Sequence, residues 1–312
     1  MQRASLKIGT RGSALALAQA QSVRTALLHS HGLPPQNVEI IPISTQGDRL
    51  ADRPLDLIGG KGLFTQEIEA ALAAGRIDIA VHSAKDMPAV LPQGLHLSVF
   101  LPREDPRDAF IGRWVTKLAD LPAAAKIGTS SIRRRAQLGR LRPDLQIVLL
   151  RGNVQTRLEK LIKEGIDGIF LAYAGLKRLG LSAKATEILP LDRFVPAPGQ
   201  GVIAVESRKN DKRVDALLAP LNDRKTCIET ACERSFMAAL DGSCRTPLGA
   251  YAQLNGEKLH IHGIILAPNG AIFHEIRISG ALEEAIFLGE QAAAELKARA
   301  GAGFFADWKK AE

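Results

Sequence analysis

The chain has 312 residues, more than one hydrophobic core usually supports, so two or three domains are expected. With 46% hydrophobic and 24% charged residues it reads as globular, and no apolar run approaches the roughly 20 residues that span a bilayer. A net charge of +8 points to an anionic partner.

The basicity is local. Between Lys126 and Lys163 ten basic residues face only Asp144 and Glu159, which accounts for the whole net charge and assigns it to one site or face. The N-terminus runs into a strand-like segment without the apolar core of a signal peptide. The cysteines, Cys227, Cys232 and Cys244, are odd in number and clustered, which fits a reducing compartment. A cytoplasmic protein is therefore expected.

In chain order, Leu6–Gly9 reads as a strand and Ser13 as the N-cap of a helix to about Leu28, with Ala16, Ala20, Val23 and Leu27 on one face. Val38–Ser44 is a second strand, followed by the polar loop Thr45–Asp48. Ile58–Phe64 is a Gly-rich loop feeding a helix that ends at Gly75. The apolar run from Ile77 then stops in a polar knot, His82-Ser-Ala-Lys-Asp86, before Pro88. Ligands of open α/β sheets gather beyond the carboxyl ends of strands, so this loop is a candidate for chemistry; the alternative is a solvated turn with a local Lys85–Asp86 pair. A strand near Leu95–Leu101 follows, and the alternation implies a mostly parallel sheet.

Pro102–Asp108 reads as a crossover into a second domain with the same pattern: a strand to Ile127, a helix from Ser130, a strand Leu145–Leu150 and a helix Asn153–Glu164. A strand Gly168–Leu171 and a helix from Tyr173 complete it. Pro196–Gly201 reads as a second hinge, and Val202–Glu206 as a strand returning to the first sheet. After a linking helix over 211–218, a helix (226–240), three strands and an Ala-rich helix (283–300) form a small α+β unit. The expected domains are residues 1–101 with 202–219, residues 107–195, and residues 223–312.

Arginines recur where a helix would not favour them. A helix N-terminus is partly positive, so cations there are unfavourable and anions welcome. With Ser130 as cap, Arg133 and Arg134 fall in the first turn; Arg151 and Arg157 flank the cap Asn153; Arg11 precedes the cap Ser13. An anion among them would explain all three junctions, and the planar guanidinium suits a carboxylate. The alternative is side chains reaching into solvent. No P-loop or strand-linked G-x-G-x-x-G supports phosphate. Nucleic acid has the charge in its favour, but aromatics are only 4% and the basic stretch has no stacking-rich segment. A small polycarboxylate fits best. Metal is not expected: Cys227 and Cys232 lie five apart on a helix, as small core residues do, without a ligand set. Cys244 sits in a loop beside Arg245, which favours thiolate.

Motifs along the chain resemble those of the porphobilinogen deaminases (hydroxymethylbilane synthases). They are Lys7-Ile-Gly-Thr-Arg-Gly-Ser13, Gly59-Gly-Lys-Gly-Leu-Phe64, His82-Ser-Ala-Lys-Asp-Met-Pro88 and Arg103-Glu-Asp-Pro-Arg-Asp-Ala-Phe110. Gly128-Thr-Ser-Ser-Ile-Arg-Arg134, Leu150-Arg-Gly-Asn153, Ala174-Gly-Leu-Lys-Arg-Leu179, Pro198-Gly-Gln-Gly201 and the Cys244 loop continue the family order. The resemblance implies an α/β chain with two periplasmic-binding-protein-like doubly wound domains plus a small α+β C-terminal domain carrying the cofactor cysteine. It implies a dipyrromethane joined to Cys244 by a thioether, and head-to-tail condensation of four porphobilinogens into hydroxymethylbilane with loss of ammonia. It makes Asp86 the catalytic carboxylate. Arg11, Ser13, Lys61, Lys85, Ser131, Arg133, Arg134, Arg151, Arg157 and Arg178 would hold acetate and propionate groups, Thr129, Gly152 and Gln200 would add to cofactor and substrate binding, and Phe64 would lie near a pyrrole ring. Gln46, Leu57 and Ser243 stand where relatives often carry Arg, Lys and Gly, so no ligand role passes to them.

The chemistry agrees. Loss of ammonia leaves a cationic azafulvene, and a buried carboxylate at Asp86 could protonate the departing amine and steady that cation. A thiolate suits attachment of the first pyrrole. Growth past one carboxylate requires the chain to move, which gives the two hinge segments a use. A monomer with no nucleic-acid or membrane partner is expected. The rival readings are a non-catalytic bilobed binder of a small polycarboxylate and an RNA-binding face over Arg133–Lys163.

Overall fold

The computed structural model describes residues 5–49, 65–242 and 246–310. The chain opens with β1 (Leu6–Arg11), α1 (Ala14–His31), β2 (Val38–Ile43), the short α2 (Gln46–Arg49), α3 (Gln66–Ala73), β3 (Ile79–Ser83) and β4 (Leu95–Phe100). It continues through β5 (Asp108–Gly112), β6 (Lys126–Gly128), α4 (Ile132–Leu141), β7 (Gln146–Val148), α5 (Val154–Lys163), β8 (Gly168–Ala172), α6 (Tyr173–Arg178) and β9 (Glu187–Ile188). Then come β10 (Ile203–Arg208), α7 (Lys212–Leu218) and α8 (Arg224–Ala239). β11 (Leu248–Asn255), β12 (Lys258–Leu266), β13 (Phe273–Ala281), α9 (Ala285–Ala300) and α10 (Ala302–Lys310) close the chain. Contacts divide it into two compact units, the first ending at Glu104 and resuming over Val202–Cys227, the second taking Asp105–Gly201 and the chain from Ile228.

The first unit holds a five-stranded sheet in the order β2-β1-β3-β10-β4. β1 runs parallel to β2 and β3, while β10 is antiparallel to both β3 and β4. α1 is delimited by local chemistry. Ser13 Oγ accepts from Ala16 N at one end, and Gly32 adopts a left-handed conformation at the other. Its face of Ala20, Val23 and Leu27 covers Leu6, Ile8, Ile79 and Val81, together with Val214 and Leu218 of α7. On the opposite face, Ile68, Ala71 and Leu72 of α3 cover Ile77, Ala80 and Leu95. Both faces are filled, and the central strand β3 is buried through its first four residues.

The second unit repeats the plan in the order β7-β6-β8-β5-β9, again with one strand, β5, antiparallel to its neighbours β8 and β9. Phe110, Phe170 and Phe194 form its aromatic centre, with ring centroids 5.4 and 5.5 Å apart. The antiparallel sheet β11-β12-β13 lies in the same unit and packs against α9. α8 and α9 meet where a Cβ on Gly289 would lie 2.2 Å from the Cys232 carbonyl oxygen, so glycine is required there. Among the described residues, no helix is long and apolar enough to cross a membrane.

The α/β alternation is present, but the sheets are mixed rather than mostly parallel as expected: β10 and β5 each bring two antiparallel pairings to their sheet. β5, β9 and α10 were not anticipated. β5 follows a Pro- and charge-rich segment and begins with an aspartate, β9 has two residues, and α10 is held by Trp308, whose Nε1 donates to Leu266 O (2.9 Å). The 45–48 loop forms the helical turn of α2.

One polar residue of α3 faces this core. Glu69 is buried, and burial lifts its carboxyl above its ordinary value of 4.5; a hydrogen bond from Thr65 counters, nearby Glu206 adds to the rise and His82 opposes it. A carboxyl that holds its proton more tightly in the folded state contributes stability below its unfolded pKa and loses it as pH rises through the folded value. Glu69→Gln should therefore gain on the wild type between pH 4.5 and 7.5, with the two converging at the acid end. Urea unfolding across that range checks this; parallel curves would contradict it.

Candidate functional site

In the first unit, β1 and β3 deliver their carboxyl ends side by side. Thr10 Oγ1 ties them by donating to Val81 O (3.2 Å). β1 ends at Arg11, and the next turn places Ser13 over the start of α1. From α1, Gln19 Nε2 donates to Ser83 Oγ (2.9 Å) at the end of β3. A single 3-10 turn, Ala84–Asp86, follows and closes with Met87 N on Ala84 O (3.2 Å). Arg11, Ser13, Gln19, Thr65, His82, Ser83 and Asp86 line one small pocket of about 60 Å³. Asp86 stands exposed at it and Lys85 is half-buried. The buried carboxylate expected at this position is thus corrected: the 3-10 turn carries Asp86 out of the strand and into solvent. Lys61 and Phe64 lie outside the described residues.

The second unit holds the other expected arginines. β6 runs into the Gly128–Ser131 turn, and Ser131, one residue later than the expected cap Ser130, accepts from Arg134 N (3.3 Å) to start α4. Thr129, buried, accepts from Ser131 N (3.1 Å). Arg133 and Arg134 then fall in the first turn, each only 5% exposed, so neither reaches into solvent. Both point at Asp108, the first residue of β5, which is fully buried. Arg133 Nη2 lies 2.8 Å from Oδ2, and Arg134 Nη2 lies 2.6 Å from Oδ1. The remaining donors are tied to backbone: Arg133 Nη1 to Val195 O and Arg134 Nη1 to Phe170 O, both at 2.7 Å. Burial draws the Arg133 guanidinium below its usual range; Asp108 opposes this and Arg134 adds to it. One carboxylate serves two guanidiniums, so the cluster keeps a positive excess.

Gln200, Arg151, Gly152, Arg157 and Arg178 belong to the same unit. Gln200, fully buried, donates from Nε2 to Pro106 O (2.7 Å) and Asp108 Oδ1 (3.2 Å). Arg151 is 8% exposed at the end of the segment leading to α5, whose cap Asn153 accepts from Thr156 N (2.9 Å). Gly152 has φ 120°, and a Cβ there would meet Thr156 at 2.7 Å, so glycine is needed to pass the chain into α5. Arg157 Nε donates to Gly152 O (2.9 Å) and Nη2 to Ser130 Oγ (3.4 Å), bridging the starts of α4 and α5. Arg178 Nη2 donates to Gly201 O (2.6 Å).

The cysteines separate by burial. Cys232 is fully buried and its thiol is pushed up to about 12; burial also raises Cys227, which packs beside Ala84, Phe100 and Val202. Both are held as thiols, in line with their reading as core residues. Cys244 lies outside the described residues, as do Leu57 and Ser243.

Two family models cover the chain. One, described as porphobilinogen deaminase, dipyromethane cofactor binding domain, matches residues 6–216; the other, porphobilinogen deaminase, C-terminal domain, matches residues 227–298. A porphobilinogen deaminase from Nitrobacter hamburgensis is 53% identical over 298 residues, covering 96% of this chain and 94% of its own. This chain belongs to the porphobilinogen deaminase family. Likeness to solved structures is weaker. The methionine-binding protein MetQ matches at TM-score 0.45 and 14% identity, over 72% of this chain and 92% of that one. A periplasmic substrate-binding protein from Coxiella burnetii matches at 0.44 and 18%, over 73% and 96%.

Sequence reasoning about this family member missed Asp108, Gln19, Thr65 and the partner of His82. His82 Nε2 lies 3.1 Å from Glu206 Oε2 inside the first unit. Glu206 did carry a signal: it is an acid directly after the apolar run Ile203-Ala-Val205, and such a residue, when buried, needs a cation or donors nearby. Removing one partner of a buried ion pair is far more costly than the pair's net worth. Asp108→Asn should therefore cost about 3–5 kcal/mol of unfolding free energy in urea. A loss under about 1 kcal/mol would place the cluster on the scale of a surface pair.

Proposed function

We infer that this chain is a transferase that condenses four porphobilinogen molecules head to tail into hydroxymethylbilane, releasing ammonia, on a dipyrromethane primer held by a thioether to Cys244. The observation that carries the reading is the pair of porphobilinogen deaminase models, which together span residues 6–216 and 227–298. The non-catalytic binder is not favoured by that match, and neither is an RNA-binding face.

The donor chemistry of the second unit fits the primer. Each pyrrole brings an acetate and a propionate, and the cluster around Asp108 has more guanidinium than carboxylate. Arg151, Arg157 and Arg178, with the capped starts of α4 and α5, add donors suited to carboxylates. Arg133 and Arg134 contribute through the field of their excess charge, since their terminal nitrogens already serve Asp108 and backbone carbonyls. Of the three cysteines, Cys227 and Cys232 are held as thiols by burial, which supports Cys244 as the attachment point.

When bound, the primer supplies a pyrrole carbon as nucleophile. Asp86 supplies the proton chemistry: its carboxyl hands a proton to the departing amine as the C–N bond breaks, faces the resulting cation, and takes back the proton released when the new C–C bond forms. Arg11, Ser13 and Lys85 would serve carboxylates of the incoming ring, Lys61, Thr129, Ser131, Gly152 and Gln200 would complete the cofactor and substrate contacts, and Phe64 would lie near a pyrrole ring. The three-domain division drawn from the sequence, a monomeric state and a cytoplasmic location complete the proposal.

Asp86→Asn should keep the wild-type far-UV circular dichroism and lower porphobilinogen turnover at least about 100-fold. Turnover near that of the wild type would remove Asp86 from the mechanism.

A further inference from the structure

Three ionisable side chains lie buried in the first unit behind the turn that carries Asp86. Glu206 is fully buried, and His82 and Glu69 are 6% and 8% exposed. Their placement follows from strand register. β3 and β10 pair antiparallel, with Val81 opposite Val205, His82 opposite Ala204 and Ala80 opposite Glu206. Residues two apart on a strand share a face, so Glu206 sits diagonally across from His82, on the side that also presents Ala80 to α3. The imidazole reaches the carboxylate there, Nε2 to Oε2 at 3.1 Å. The two strands carry the same pattern, Ile79-Ala-Val-His-Ser83 and Ile203-Ala-Val-Glu-Ser207, and the register lays one along the other in full.

Stability alone does not account for this pair. Burying two hydrogen-bonded ionisable side chains in a sheet gains little over well-packed hydrophobic residues, and the polar atoms of this cluster are incompletely satisfied. Glu206 Oε1 and Glu69 Oε1 are buried without a hydrogen-bond partner. Position accounts for it better. His82 is the last charge-bearing group of β3, lines the pocket that Asp86 edges, and precedes Asp86 by four residues. The ladder between the strands continues to Ala84, whose N–H donates to Val202 O (3.0 Å), two residues short of Asp86. The charged groups around the imidazole are Glu206 from β10, Glu69 from α3, and, at the pocket, Arg11 from β1 and Asp86 itself.

We propose that Glu206 is a positioning residue for Asp86, acting through His82: the buried carboxylate fixes the imidazole at the end of β3 and so holds the Ala84–Asp86 turn in one placement at the pocket. The proposal rests on the reading of Asp86 as the carboxylate that serves the departing amine.

The test separates position from stability. Glu206→Gln and His82→Gln, assayed per mole of cofactor-loaded protein, should each lower kcat about tenfold with KM within about twofold of wild type. The double substitution should cost no more than either single one, because both act through one contact. The second arm replaces the pair by apolar residues, Glu206→Met with His82→Leu. A pair that serves stability alone would leave this variant stable and fully active; a positioning pair leaves it stable and about tenfold slower. Wild-type kcat in the apolar variant, or losses that simply add in the first arm, overturn the proposal. Asp86→Asn run alongside identifies the source of failure. If it is inactive while the Glu206 variants run normally, only the positioning role is lost; if it turns over normally, the reading of Asp86 falls and the role of Glu206 with it.

Discussion

A single carboxylate between two buried guanidiniums organises the second unit. Asp108 joins the start of β5 to the first turn of α4 through Arg133 and Arg134. Those same arginines reach Phe170 O on β8 and Val195 O. Gln200 brings the 196–201 turn to Asp108 Oδ1. Four chain segments far apart in sequence thus meet at one group that no solvent reaches. Such a cluster is expensive to bury and is held only because nearly every donor has an acceptor. Its remaining imbalance, two positive groups to one negative, is what recommends the neighbourhood to an anion.

In the proposed reaction the two units would carry different parts of the chemistry. The first offers a small pocket at the ends of two parallel strands, with one exposed acid, Asp86, among polar and cationic neighbours. The second offers, between Lys126 and Lys163, ten basic residues against only Asp144 and Glu159. Proton transfer needs a group that can meet a substrate, so exposure at the end of a strand suits Asp86. Binding several carboxylates needs fixed, partly desolvated donors, which suits arginines locked by Asp108, Gly152 O and Gly201 O.

Much of this was legible in the residues because its causes are local. Ser13, Asn153 and Asp211 cap helices, and the apolar face of α1 is the one its spacing marks. What escaped depends on contacts distant in sequence. The arginines at the start of α4 looked unopposed because their counter-charge, Asp108, lies outside the basic stretch and arrives through sheet pairing. β5 was hidden for the same reason, since its first residue is an acid whose burial makes sense only with the arginines in place. His82 stood out only as the first residue of a polar knot, and its partner on β10 is visible only once the two strands are laid antiparallel. The exposure of Asp86 depends on how the chain leaves β3, which the motif does not encode.

The claim on which the account turns is that this excess of cationic groups serves a pyrrole chain anchored to the protein. The mass of the intact purified chain tests it most directly. The wild type should carry a covalent surplus equal to one dipyrromethane, confined on digestion to the peptide containing Cys244 and absent from Cys244→Ser. A wild-type chain at its bare mass, or a surplus that survives in Cys244→Ser, would contradict it.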